Sequence, residues 1–267
     1  MKEIDESQFI LVPCDFSPLS FYAMEHGTFM SKVMKCRMKI LHVTPRANEV
    51  AAMSKKMNLI AEDFYVKFDV RPDVIVRQGI KPHSVIKAVA DELKPSLVIL
   101  KTYGGSKTLT IMSGSSTPFL VIQGEPKNKV MSNITFPINF LLKHDEKMKR
   151  LLHFSEYYPD AILHIITPSG KGVGKERHVT SNISLMTRVL ENQGVKIKFA
   201  THDKKRNTAE TILALSKDAD MIVAQMEEVP KITKFFFGIR EEKLIHNVDK
   251  IPVLCFNNES DLKKSMR

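Results

Sequence analysis

The sequence predicts an α/β protein built as two tandem domains, each a parallel sheet with helices on both faces, and three observations carry that prediction. The first is repetition. Phe9-Ile10-Leu11-Val12-Pro13-Cys14-Asp15-Phe16 lines up with Asn133-Ile134-Thr135-Phe136-Pro137-Ile138-Asn139-Phe140, and Ile40-Leu41-His42-Val43-Thr44-Pro45 returns as Ile162-Leu163-His164-Ile165-Ile166-Thr167-Pro168. Both offsets fall between 122 and 124 positions, the length of one small domain. The second is alternation: in each half, short β-branched runs exchange with longer segments of helical period, the pattern of βαβ units. The third is size, because 267 residues with 43% hydrophobic content suffice for two separate cores.

In the first half, taken as residues 1–125, strands read near 9–13, 38–43, 72–77, 97–101 and 118–122. Ser17 followed by Pro18 marks a helix start, a capping side chain ahead of the residue best suited to the first turn. That helix runs to about Lys35, with Phe21, Met24, Phe29, Met30 and Val33 turned to the sheet. A second helix covers about Glu49 to Val66, and a third, introduced by Gly79 and Pro82, reaches about Leu93. Gly124 to Lys129 forms a short polar linker.

The second half, residues 130–258, repeats the order with strands near 133–138, 161–166, 195–201, 221–225 and 252–256. Its helices are expected near 144–157, 180–193, 207–217 and 240–247. Thr167 to His178, with Gly170, Gly172 and Gly174 among lysines, reads as a loop, since it lacks the Lys-Ser/Thr signature of a phosphate cradle. The last ten or so residues are charged and read as a frayed end. Leu97-Val98-Ile99-Leu100 matches Met221-Ile222-Val223-Ala224 at the repeat spacing, yet the closing strands, starting at Pro118 and Pro252, lie about ten positions further apart. The first half has therefore lost about ten residues between its last two strands.

Forty basic against thirty acidic residues give a formal net charge of +10. The excess divides about evenly between the halves, basic pairs are short, and no aromatic residues interleave with them, which argues against a dedicated nucleic-acid surface. No apolar run reaches the roughly 20 residues that cross a bilayer, and the acidic start has no signal-peptide pattern, so no membrane association and a cytoplasmic location are expected. Three cysteines without CxxC or CxxH spacing speak for a reducing compartment and against a disulfide framework or a zinc site.

A strand closing on Val12-Pro13-Cys14-Asp15-Phe16-Ser17, a helix, then Leu41-His42-Val43, then a third strand ending at Gly79 before a proline-started helix resembles the universal stress protein family. The tandem arrangement resembles its two-domain members. The resemblance implies a five-stranded sheet in the order 3-2-1-4-5 per half, with the halves pairing as a pseudo-dimer through their fifth strands and room for further homo-oligomerisation. Many members bind ATP or AMP through GxxG, nine residues, then Gly followed by Ser or Thr at a helix start. Glycines admit the phosphates, and the helix end supplies free N–H groups.

In the first half Gly105-Ser106 falls where the closing Gly-Ser belongs, opening a helix from Lys107 to Ser113, but Leu100-Lys101-Thr102-Tyr103-Gly104 runs straight into it. The ten lost residues are the phosphate loop. The second half keeps the length but places Gln225 to Glu228 at the GxxG positions and Ile239 after Gly238, with Glu227, Glu228 and Phe235 to Phe237 in the loop. The acidic residue after the first strand, Asp15, has become Asn139.

The resemblance thus points to Asp15, Val43, Gly104, Gly105 and Ser106 as the candidate ligand site, with plain structural roles open for each. A carboxylate at a strand end also caps backbone N–H groups, a parallel strand wants an apolar residue at Val43, and a tight loop uses glycines. Cys14 reads as a buried small hydrophobe, and His42 and His164, at matching motif positions, as packed residues rather than ligands. No nucleophile elbow or paired acid and base is present. The expected protein is a non-enzymatic stress-response protein with degenerate nucleotide sites, no resident cofactor and an unidentified protein partner. The alternative is an AMP or ATP sensor that uses the first domain. A nucleotide hydrolase is disfavoured, because neither half offers a Mg²⁺ carboxylate set or a phosphate-loop lysine.

Overall fold

Strands whose residues are apolar on both faces need cover on both faces, and the chain supplies it by following nearly every strand with a helix. In the computed structural model, which describes residues 5–104, 107–115, 117–127, 130–137, 155–168, 184, 186–202, 208–225 and 239–256, the first half runs β1 (Asp5–Pro13), α1 (Pro18–Met34), β2 (Cys36–Thr44), α2 (Val50–Phe68), β3 (Asp73–Gln78), α3 (Pro82–Leu93), β4 (Leu97–Lys101), α4 (Lys107–Met112) and β5 (Phe119–Ile122). The strands are parallel in the order β3-β2-β1-β4-β5, as the resemblance implies. Ile10, Leu11 and Val12 of β1, Val98, Ile99 and Leu100 of β4 and Leu120, Val121 and Ile122 of β5 are wholly buried.

Right-handed crossovers place α1 and α2 on one face of this sheet and α3 and α4 on the other. The first pair is tied together by the Phe29 and Phe68 rings, 6.2 Å apart, and by Lys32 Nζ donating to the Phe68 carbonyl at 2.6 Å. The predicted start of α1 is present: Ser17 is extended, its Oγ accepts from Ser20 N–H at 3.3 Å, and Pro18 begins the first turn. Gly27 sits where α1 presses on the sheet, and a Cβ there would lie 2.9 Å from Val12 Cγ2. The strand order reverses direction between β1 and β4, so the chain leaves their carboxyl ends toward opposite sides and opens a crevice there.

The second half contains β6 (Asn133–Pro137), β7 (Ile162–Pro168), β8 (Lys196–His202), α5 (Thr208–Leu215), β9 (Met221–Gln225), α6 (Ile239–Ile245) and β10 (Val253–Phe256), with further helical turn at residues 155–157 and 186–192. Its order β8-β7-β6-β9-β10 repeats the first. The chain divides into two compact units, one built on β1 to β5 and the other on β6 to β9. The glycines 170, 172 and 174, Asn139, and the Glu227, Glu228 and Phe235 to Phe237 stretch lie outside the described residues.

Backbone hydrogen bonds show the repetition atom by atom. Ser96 N–H donates to the Phe9 carbonyl (3.0 Å) as Asp220 N–H donates to that of Asn133 (2.8 Å), and Val98 to Pro118 (3.0 Å) as Ile222 to Pro252 (2.9 Å). The same register holds between the first and fourth strands, Ile10 beside Leu97 and Ile134 beside Met221. The second strand departs from the expectation. Ile10 stands beside Met38, whereas its equivalent Ile134 stands beside Leu163, so Met38 corresponds to Leu163 and Lys39 to His164. The shared Ile-Leu-His motif is thus three residues out of spatial register, and His164 is not the counterpart of His42. Burial agrees: Cys36, Met38, Ile40, Leu41 and His42 are buried, as are Ala161, Leu163, Ile165, Ile166 and Thr167. Lys39 covers the Phe9 ring with its Nζ 4.1 Å from the centroid, and at the matching positions His164 Nε2 meets Asn133 Oδ1 at 3.0 Å.

Candidate functional site

At the carboxyl end of β1 the chain turns through Asp15 and Phe16 into α1. Asp15 Oδ1 accepts from Ser17 Oγ at 2.6 Å and from Ser17 N–H at 3.2 Å, which folds the turn back on itself. Phe16 takes a left-handed φ of 65°, unusual for a residue with a Cβ. Its ring lies 4.5 Å from that of His42 on one side and 3.8 Å beneath Lys56 Nζ on another. His42 in turn donates from Nδ1 to the Cys14 carbonyl at 2.8 Å, which sets its tautomer. The packed, hydrogen-bonded histidine expected at position 42 is what the fold contains.

The other side of the crevice is the end of β4. Lys101 Nζ forms an ion pair with Asp15 Oδ2 and also donates to Ser17 Oγ at 3.0 Å. The lysine side chain is only 14% exposed, so this ammonium belongs to the wall of the site and not to the solvated surface. It lies 5.1 Å from the centroid of the Tyr103 ring, within cation–π range. Partial burial acts to raise the Asp15 pKa, but hydrogen bonds from Lys101 and Ser17 and the lysine charge outweigh it and bring the carboxyl down to about 2. Asp15 is ionised at neutral pH, and its charge is already matched.

Beside this cluster is a cavity of about 210 Å³. Its apolar wall is Pro13, Leu41, Val43, Pro82 and Ile86, and its polar wall is Asp15, His83, Tyr103 and Lys107, with Cys14 at the floor. Burial pushes the Cys14 thiol up, so it stays protonated and behaves as the small hydrophobe expected. The Tyr103 hydroxyl is likewise pushed above its ordinary range, first by burial and then by the Asp15 charge. Gly79, where β3 ends, donates from N–H to the Thr44 carbonyl at 2.8 Å, and a Cβ on it would overlap Val85 Cγ2. The glycine lets the start of α3 lie against the strand end and close this side of the cavity.

Of the five residues picked from sequence, Asp15 and Val43 line this one cavity. Gly104 does not line it; with φ of 72° it turns the chain out of β4 in a conformation that favours glycine. Gly105 and Ser106 lie outside the described residues. The helix they precede is α4, held to the β4 exit by Tyr103 N–H donating to Thr108 Oγ1 at 3.0 Å. Sequence reasoning missed Lys101, Tyr103, His83 and Lys107. Lys101 carried the one available signal: a charged residue closing an otherwise apolar strand, at the level of a carboxylate closing its neighbour. Among the described residues no group of three or more His, Cys, Asp or Glu could hold a metal ion.

Solved structures share this fold across the whole chain. A universal stress protein from Archaeoglobus fulgidus DSM 4304 is similar over 96% of this chain and 98% of its own, at a TM-score of 0.73 and 19% identity. A functionally unknown protein from Pseudomonas aeruginosa PAO1 is similar over 97% of this chain and 95% of its own, at a TM-score of 0.66 and 12% identity. No family model matches the sequence, and no curated protein is similar to it. The fold is that of the universal stress proteins, with two repeats in tandem. Among the described residues no helix is long and apolar enough to cross a membrane.

Proposed function

We propose that this chain is a non-enzymatic binding protein of the universal stress type, serving a stress response, whose nucleotide sites are degenerate. The observation that carries the reading is the Lys101 ammonium on Asp15. Asp15, the one carboxylate lining the cavity among the described residues, is occupied by the chain itself, at the point where the loop that would surround phosphates has been shortened to Thr102-Tyr103-Gly104. The cavity supports it too, since about 210 Å³ is below the ~300 Å³ at which clefts for drug-sized ligands begin.

Thermal unfolding with millimolar ATP, ADP or AMP tests the reading, because a ligand at 100 times its Kd stabilises the folded state by about 2.7 kcal/mol. ATP is expected to leave the transition unmoved; binding tighter than about 10 μM, close to −7 kcal/mol, would refute it. A second reading, an AMP-sized sensor, draws on Asp15 and Val43 lining the same cavity. It requires a rise in Tm with AMP that disappears in Asp15→Ala while the fold is retained.

A further inference from the structure

We propose that the cavity of the first unit binds a small organic monoanion with an apolar body, a single-ring aromatic or branched aliphatic carboxylate about the size of benzoate, whose charged end meets Lys107. The proposal rests on the reading that this site does not take nucleotides, and it names what the site takes instead.

Size sets the first limit. An enclosed apolar cavity of about 150 Å³ holds one benzene molecule, so about 210 Å³ suffices to seat one substituted ring, with its open side left to solvent. The body of the ligand follows from the walls. Leu41, Val43, Pro82 and Ile86 present hydrocarbon, and Cys14 adds a protonated thiol, so a ring or branched chain gains by leaving water there.

Charge sets the third limit. Asp15 is ionised, but Lys101 and Ser17 already satisfy it, so it neither calls for a cation nor leaves the wall negative. Lys107 is different. It is exposed where it lines the cavity, which places it toward the opening, and it forms no ion pair or side-chain hydrogen bond among the described residues. Among the described residues it is the one full charge on the wall with no partner there, and His83 adds a ring nitrogen to the same lining. A single ammonium matches a single carboxylate. A phosphate monoester carries nearly two charges and three acceptor oxygens and is served best by bidentate arginine or a glycine-rich backbone cradle, and among the described residues neither an arginine nor a glycine lines this cavity.

Isothermal titration calorimetry on the full chain, with benzoate, benzamide, AMP and ATP as probes, tests this. Benzoate is expected to bind saturably at millimolar concentration or below, and benzamide, of the same shape without the charge, at least about tenfold more weakly. Lys107→Gln, at an exposed position that leaves the core intact, should bring benzoate down to the benzamide level and leave benzamide unchanged. In the unaltered protein, methyl resonances of Leu41, Val43 and Ile86 should shift on adding benzoate. No saturation by benzoate, equal affinity for benzoate and benzamide, or benzoate binding indifferent to Lys107→Gln would each overturn the proposal. The two levels fail separately: tight ATP binding removes the non-nucleotide reading and this proposal with it, whereas silence from both ATP and benzoate leaves the reading standing and removes the proposal alone.

Discussion

With Lys101 in place, Asp15 keeps its charge but loses its availability, and the two residues have to be considered as one unit. Lys101→Met keeps most of the aliphatic stem and deletes the ammonium, so the half-buried carboxylate retains its desolvation penalty without its partner. The Asp15 carboxyl, held at about 2 in the native protein, is expected to rise toward its ordinary 3.8, the Ser17 hydrogen bonds remaining, as a carboxyl-resonance pH titration would show. Because the folded-state pKa is depressed, the pair contributes stability above the unfolded value near 3.8 and loses it as pH falls toward about 2. With Asp15 46% exposed, solvent screening holds that contribution to about 1 kcal/mol. Urea unfolding should then show native protein and variant differing at pH 7 and converging as the pH drops below 3; the same gap at both pH values would refute the account. Asp15 was legible in the sequence as a candidate site residue, but its partner was not. The pair joins positions 86 apart, and only the sheet order brings β1 beside β4.

At the scale of single elements, local chemistry was the legible part. Ser17 and Pro18 announced α1 because capping is decided within three residues, and the alternation of apolar runs located the ten strands. The first three helices end within two residues of the expected Lys35, Val66 and Leu93, but the residues that cap them were harder to foresee. α1, α2 and α3 stop on Lys35, Asp69 and Lys94 in the left-handed region, where glycine would have been the readable signal. The Ile-Leu-His motif taught a different lesson. Side chains on a strand are interchangeable as β-branched or aliphatic letters, so likeness of letters fixed that a repeat exists but missed its register by three residues. Gly79 shows how tightly one junction is built. Gly79→Ala is expected to destabilise the first unit by about 1 to 3 kcal/mol, through overlap with the stiff Val85 side chain. Adding Val85→Ala should recover part of the loss, measurable by denaturant unfolding; an additive loss in the double variant would place the strain elsewhere.

For the whole molecule, a net charge of +10 spread over forty basic and thirty acidic residues forms no continuous stripe in the sequence. Binding to double-stranded DNA should therefore be weak and diffuse. The slope of log K against log salt is expected to be no steeper than about −3, against the −5 to −9 of proteins that make six to ten phosphate contacts. A steep slope would reveal a basic surface that folding assembles from distant residues. Tandem architecture was legible because duplication leaves a mark in chain order, and the ten-residue loss before β5 was legible because spacing survives when letters change. The occupancy of the site was not, since whether a charge is free or matched depends on distances in space. That matched pair also leaves the unliganded protein with no uncompensated charge at Asp15. Its ion pair acts on the surroundings as a short dipole, whose field fades faster with distance than that of a lone carboxylate. An anion near the crevice is thus neither repelled from afar by Asp15 nor required to displace a counter-ion from that carboxylate.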